Sequence, residues 1–88
     1  MEYLHYKVKT HSNSIIEVSL DKQANIKLMD NKNYQNYRMK KKYDFIGGLA
    51  RVSPMVLKPP YKGEWHIVVD LEGMGGSVKA KVKVKEAT

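Results

Sequence analysis

The sequence contains no cysteine, which removes disulfides and thiolate metal sites from the means by which so short a chain gains stability. Its apolar runs extend only a few residues, far below the roughly 20 needed to cross a bilayer as a helix. Nowhere do apolar residues recur at the spacing of an amphipathic helix. Aromatic bulk is limited to one tryptophan, one phenylalanine and six tyrosines. Acidic residues are scarce: nine Asp and Glu stand against sixteen Lys and Arg, a formal charge of +7. Such an excess bears on partners and solubility rather than fold. It suits polyanions such as nucleic acid, acidic lipid surfaces or an acidic protein. It equally suits the lysines that keep exposed strands from pairing with other chains, and that plainer role is favoured. Met1–Tyr6 shows no basic stretch leading into an apolar one, so no signal peptide is expected. With no cysteine to oxidise, the expectation is a cytoplasmic protein without a membrane span. The 88 residues are read as a single domain, 1–88, whose thin core leaves little room for a deep cleft.

What the chain does have is period-two alternation. From Ser77 to Lys85, Val78, Ala80, Val82 and Val84 point one way while Lys79, Lys81, Lys83 and Lys85 point the other. This is the pattern of a strand with one face on a core, and its four ammonium groups span about 20 Å. Further strands are predicted over 3–9, 15–20, 24–30, 43–46, 55–58 and 64–70, separated by Gly, Pro, Asn and Asp. Ile16, Val18 and Leu20, then Ala24, Ile26 and Leu28, are expected inward, and these two segments read as a hairpin around Asp21–Gln23. The strand at 64–70 carries apolar residues on both faces and is expected to be central. Residues 31–42 are polar and Asn-rich, and suggest a loop or one helical turn. Gly47–Gly48 is expected to stop a strand, Pro59–Pro60 to lie in a connection, and Gly73–Gly76 to form a turn. The fold class is all-β: a small antiparallel β-sandwich or flattened barrel of about six to eight strands.

Candidate chemistry is thin. His5, His11 and His66 are isolated in sequence, whereas a metal site needs three or four converging ligands; His5 and His66 meet only if the first strand pairs with the Trp65 strand. Asp30, Asp44 and Asp70 sit at or near strand ends, where an aspartate usually caps a turn. No serine lies in a nucleophile elbow, and Gly73–Gly76 lacks the Lys-Ser/Thr and the helix of a phosphate loop. No catalytic residue, metal site or cofactor is expected, and an enzyme is not. Trp65 is read as the largest member of the core, and Met74 as an exposed contact at a glycine-rich tip.

The suggestive constellation is basic and aromatic together: Tyr34, Tyr37, Arg38, Lys40, Lys41, Lys42 and Tyr43. Binders of single-stranded nucleic acid join cations for phosphate with rings for stacking. Beside the row Lys79, Lys81, Lys83 and Lys85, that segment would form a continuous positive track.

Leu20–Asp30, then Asn33–Tyr34 through Tyr43 to Gly47–Ala50, then Gly63–Leu71, together with Met1–Lys9 and the glycine turn before the last strand, resemble the bacterial family called domain of unknown function 1883. The resemblance covers essentially the whole chain. It implies a small all-β domain with no assigned activity and an association with Toll/interleukin-receptor-like (TIR) proteins in sensing or as an adaptor. The functional expectation is therefore a non-catalytic binding or adaptor module that contacts another protein through loops 31–42 and 71–76. The alternative is a polyanion-binding module using the basic residues named above.

Overall fold

Alternating Val, Ile, Leu and Trp must bury one face of each strand, and two sheets facing each other satisfy all of them at once. The structure, a computed structural model, describes residues 3–51, 53–71 and 76–86. Along these the elements are β1 (Tyr3–Thr10), β2 (Ser14–Leu20), β3 (Ala24–Met29), α1 (Asn31–Arg38), β4 (Ile46–Ala50), β5 (Met55–Leu57), β6 (Gly63–Asp70) and β7 (Ala80–Glu86). A four-stranded sheet runs β1-β6-β3-β4 and a three-stranded sheet runs β5-β2-β7. Every pairing is antiparallel. The two sheets form an open slab with extents of 38 × 28 × 15 Å, a sandwich rather than a closed barrel.

Between the sheets lie Ile16, Val18, Ile26, Leu28, Trp65, Ile67 and Val69, with Val78, Ala80 and Val82 packed against them. The inward residues are those the alternation predicts except Val84, which is left 38% exposed, and β6 is indeed central, paired with β1 on one side and β3 on the other. Trp65 is a core residue whose Nε1 donates to the Tyr61 carbonyl at 3.0 Å.

Three expectations are corrected. β2 and β3 do not form a hairpin, because they belong to different sheets. The chain crosses from one layer to the other at Asp21–Gln23, and the two inward rows face each other across the core. Alternation reports which side chains point inward, and that pattern is the same in either arrangement. The Asp21 corner is instead tied to the approach of β7: Asp21 N–H donates to the Lys79 carbonyl at 3.1 Å, and Lys79 N–H donates to Asp21 Oδ1 at 2.8 Å.

Gly47 and Gly48 do not stop a strand at 43–46; β4 begins at Ile46 and runs through both. Gly47 has φ +127° and Gly48 φ +141°, a region open to glycine alone. A Cβ at Gly47 would lie 2.3 Å from the Ile26 carbonyl oxygen, so glycine at that position lets β4 approach β3, whereas a Cβ at Gly48 would meet nothing within 4 Å.

Residues 31–38 form a helix of eight residues, longer than the single turn expected. Asp30 caps it, its Oδ1 accepting the Asn33 N–H at 2.8 Å. Beyond Met39, Lys40 adopts φ +59°, and the bonds Lys40 N–H to Tyr37 C=O and Lys41 N–H to Asn36 C=O close the end. This is the six-to-one, five-to-two ending of a Schellman motif, with lysine where glycine usually stands. Too few apolar positions mark this helix in sequence; Tyr34 and Tyr37 supply its apolar contacts with the sheet and Asn31 bonds His66.

Candidate functional site

The inner face of the four-stranded sheet is apolar; its outer face is polar and aromatic, buried around Lys27, Met29, His66, Val68 and Asp70 and exposed along β1 at His5, Lys7 and Lys9. Register puts Tyr3, Asp70 and Asn25 in one row across this face, and His5, Val68, Lys27 and Gly47 in the next. Lys27 Nζ lies 3.2 Å from Asp70 Oδ2, with their side chains only 5% and 0% exposed. Tyr37 donates its hydroxyl to the same Oδ2 at 3.0 Å, and Lys27 donates to the Tyr43 hydroxyl at 3.0 Å. The rings of Tyr37, Tyr43 and Phe45 surround the ammonium at 5.3, 5.5 and 5.6 Å from their centroids, which compensates part of its lost hydration. Burial, then the bond to Asp70, pushes the Tyr37 hydroxyl far above its ordinary value, so it stays a donor. Asp70 Oδ1 is buried with no hydrogen-bond partner among the described residues. Asp70 is thus not the turn cap expected of a strand-end aspartate.

Beside this pair, β1 does meet β6, and His5 Nε2 lies 2.8 Å from His66 Nδ1. The ring planes are nearly parallel, at 13°, and the centroids stand 5.1 Å apart across the 2.8 Å nitrogen–nitrogen contact, the separation of two rings meeting edge to edge in an in-plane hydrogen bond. Tyr34 lies flat over both imidazoles, its centroid 4.1 Å from His5 and 4.4 Å from His66. On the far side, His66 Nε2 meets Asn31 Oδ1 at the start of α1. An amide oxygen only accepts, so His66 carries its proton on Nε2, and His5 Nε2–H donates to His66 Nδ1. Both imidazoles are held below their ordinary pKa. Burial leads in each case, followed by Arg38 and Lys7 at His5, and by His5 and Lys7 at His66. Burial also pushes the Tyr34 hydroxyl up to about 12. Most polar groups in this layer hold one another, and α1 is what they hold. Among the described residues no three His, Asp or Glu converge as a metal site.

At the edge of the same sheet is a groove of about 200 Å³, walled by Leu28, Met29, Phe45, Ile46, Pro60, Tyr61 and Trp65 and rimmed by Asp30, Asn33 and Asp44. Phe45 is 44% and Tyr61 55% exposed. Asp30 closes one side: Oδ1 is bound by Asn33 and Oδ2 accepts the Tyr61 hydroxyl at 3.1 Å. The Asn33 backbone bond, foremost, holds the Asp30 carboxyl below the usual range.

The groove opens beside β4, and β4 differs from the other edge strands. The two sheets have four edges: β1, β4, β5 and β7. β1 carries exposed Lys7 and Lys9, and the Tyr6 hydroxyl donates across to the Ala80 carbonyl at the start of β7. β7 carries Lys81, Lys83 and Lys85. β5 has three residues between Pro54 and Pro59–Pro60. Lysine, proline and brevity are the usual guards of sheet edges. β4, Ile46-Gly47-Gly48-Leu49-Ala50, contains neither charge nor proline, and among the described residues no strand pairs with its second side. Ile46 and Leu49 are exposed on it.

The residues singled out in sequence are brought together only in part. Tyr34 and Tyr37 are turned onto the sheet, their rings engaged by His5, His66 and Asp70 rather than presented for base stacking. Arg38, Lys40, Lys41 and Lys42 are exposed at the end of α1, with the Arg38 guanidinium 5.9 Å from the Tyr34 centroid. Lys81, Lys83 and Lys85 stand opposite Ser19, Glu17 and Ile15 on the outer face of the other sheet, where Lys85 pairs with Glu17 at 3.2 Å; Lys79 is exposed just before β7. The two basic groups occupy opposite outer faces of the sandwich and form no continuous track. Of the loop 71–76, Leu71 packs on the core and Gly76 has φ +90°; residues 72–75, including Met74 and most of the Gly73–Gly76 turn, lie outside the described residues. Lys27, Asn31, Phe45, Leu49 and Tyr61 escaped the sequence reading. One signal pointed to them: β6 is apolar on both faces, so both faces of its sheet must be covered, and any polar residue beside Val68 must find a partner.

Comparison with curated proteins and with solved structures finds no match. A family model described as domain of unknown function (DUF1883) matches residues 1–88. The chain belongs to the DUF1883 family over its whole length.

Proposed function

We propose that this chain is a non-catalytic protein-binding module whose working surface is β4, and that β4 takes an extended segment of a partner protein as an additional strand. The observation that carries this reading is the contrast among edges: three are guarded and β4 is not. An unguarded edge presents unpaired N–H and C=O groups that an incoming strand satisfies, while alternate side chains supply specificity. Exposed Ile46 and Leu49 and the adjoining groove offer such contacts. Residues 31–42 take part through Asn33 at the groove rim. Leu71 leaves β6 at the opposite end of that strand from Trp65, so the loop 71–76 belongs less readily to this surface. The TIR association implied by the family resemblance makes a protein of that kind the first partner to test, as part of an adaptor role. The polyanion alternative has weaker support, since its tyrosines are engaged and its cations divided between two faces.

A photo-crosslinking residue placed at position 49, with another at position 83 as control, tests this in cells. One protein captured from 49 and not from 83, insensitive to nuclease and lost when Ile46→Lys is added, is the expected result. Nucleic acid captured at 83, released steeply by salt, overturns it in favour of the alternative.

A further inference from the structure

We infer that the groove beside β4 receives a lysine or arginine side chain from the segment that pairs with β4. The inference rests on the strand-addition reading and adds the chemistry of its specificity pocket. The groove's volume, about 200 Å³, falls below the roughly 300–1,000 Å³ of small-molecule pockets and suits a single side chain. Its walls are apolar and aromatic, through Met29, Phe45, Tyr61 and Trp65, while its rim carries Asp30 and Asp44. Lysine and arginine match that gradient, with an aliphatic stem for the walls and a charged head for the rim.

The two carboxylates are in different states. Asp30 is fixed by Asn33 and by Tyr61, which keeps it ionised and its orientation set; exposed Lys32 contributes least to that. Asp44 is exposed, and its carboxylate has no partner among the described residues. In a chain of charge +7, no Lys, Arg or His is among the residues lining this groove. The local sign is therefore opposite to that of the whole molecule.

The protein already uses this combination internally. Lys27 sits among Tyr37, Tyr43 and Phe45 with Asp70 as counterion. Phe45 is common to that cage and to the groove, so one ring borders a filled cation site and an analogous acidic, aromatic cleft.

A random dodecapeptide library displayed on phage and selected against the full chain tests the proposal, alongside an NMR titration with N-acetylarginine amide and its neutral isostere N-acetylcitrulline amide. Selected peptides are expected to share a Lys or Arg at one position and to slow amide exchange at Ile46–Ala50. Replacing that residue by citrulline or norleucine, or Asp44 by Asn (Asp44→Asn), is expected to weaken binding at least tenfold. N-acetylarginine amide, and not the citrulline compound, should shift Phe45 and Tyr61. Asp44 is the residue varied because Asp30 also caps α1 and its loss would perturb the helix. Peptides that protect β4 yet tolerate citrulline and Asp44→Asn overturn the cation pocket and leave strand addition standing. Shifts with N-acetylarginine amide but no peptide protecting β4 overturn strand addition and keep the cation site. No shift with either compound at tens of millimolar, together with selected peptides lacking a basic residue, overturns the inference.

Discussion

The two faces of the four-stranded sheet are both covered, the inner one throughout and the outer one around Lys27, His66, Val68 and Asp70, and they are covered by different means. The inner face meets another sheet and is filled by Ile26, Leu28, Trp65, Ile67 and Val69. The outer face meets one eight-residue helix and the segment that follows it, and is filled by histidines, tyrosines and a lysine–aspartate pair. Apolar filling is non-directional and tolerates adjustment. A buried polar layer demands that each partner be present, because an orphaned charge in low dielectric is costly. The comparison teaches that one face supplies the stability of the fold and the other specifies where α1 sits, which in turn builds one rim of the groove.

The largest effect expected comes from breaking the outer face at its charges. Asp70→Ala leaves Lys27 buried beside three rings and should cost about 3–5 kcal/mol in urea unfolding. The paired change Lys27→Met with Asp70→Ala should recover part of that loss, since it removes the uncompensated charge and adds no volume at position 70. A double variant as unstable as Asp70→Ala alone would show that the ion pair is not what the outer face depends on. On the inner face, Ile67→Ala should cost about 2–5 kcal/mol through transfer and cavity terms, and no partner substitution should rescue it.

Next, Gly47→Ala should cost about 2–4 kcal/mol, combining a disallowed backbone with overpacking, because its Cβ would meet the Ile26 carbonyl at 2.3 Å. If that variant unfolds at the parent midpoint, β4 does not need its close approach to β3.

Acid should also separate the faces. Both His5 and His66 are held below the ordinary 6.5. Above that value both are neutral, folded or unfolded, and their contribution is complete. As pH falls through 6.5 the unfolded chain takes up protons that the folded one resists, so stability declines toward the folded pKa. Arg38 and Lys7 work in the same direction, while Glu64 and Asp30 oppose the shift at His66. Exchange of the α1 amides should quicken in the same window. The variant His5→Gln with His66→Gln should flatten this slope, whereas Ile67→Ala should leave it unchanged; a slope that persists without both histidines would assign it elsewhere.

The smallest effect on stability is expected at the unguarded edge. Leu49→Lys should change unfolding free energy by no more than about 0.5 kcal/mol, as exposed substitutions do. A large loss there would mean that Leu49 is part of the fold rather than of a surface free to bind.

The inner face was legible residue by residue. Ile16 and Val18, Ala24 to Leu28, and Trp65 to Val69 alternate, and alternation follows directly from the strand's twofold repeat. The outer layer was not, because His5, Lys27, Asn31, Tyr34, His66 and Asp70 come from four separate elements and share no spacing along the chain. The β2–β3 crossover was hidden for a related reason: a strand's pattern marks its buried side and is silent about which neighbour it bonds.

By itself, then, the sequence determined an all-β chain, the side chains that turn inward, the central place of β6 and the lysines of β7, since each follows from local periodicity and burial. Only the tertiary structure decided that Lys27 meets Asp70, that two isolated histidines share a hydrogen bond beneath Tyr34, that the basic groups part to opposite faces, and that β4 is left as the unguarded edge. Those outcomes depend on strand order, which is set by how all the apolar faces close over one another at once and not by any segment alone.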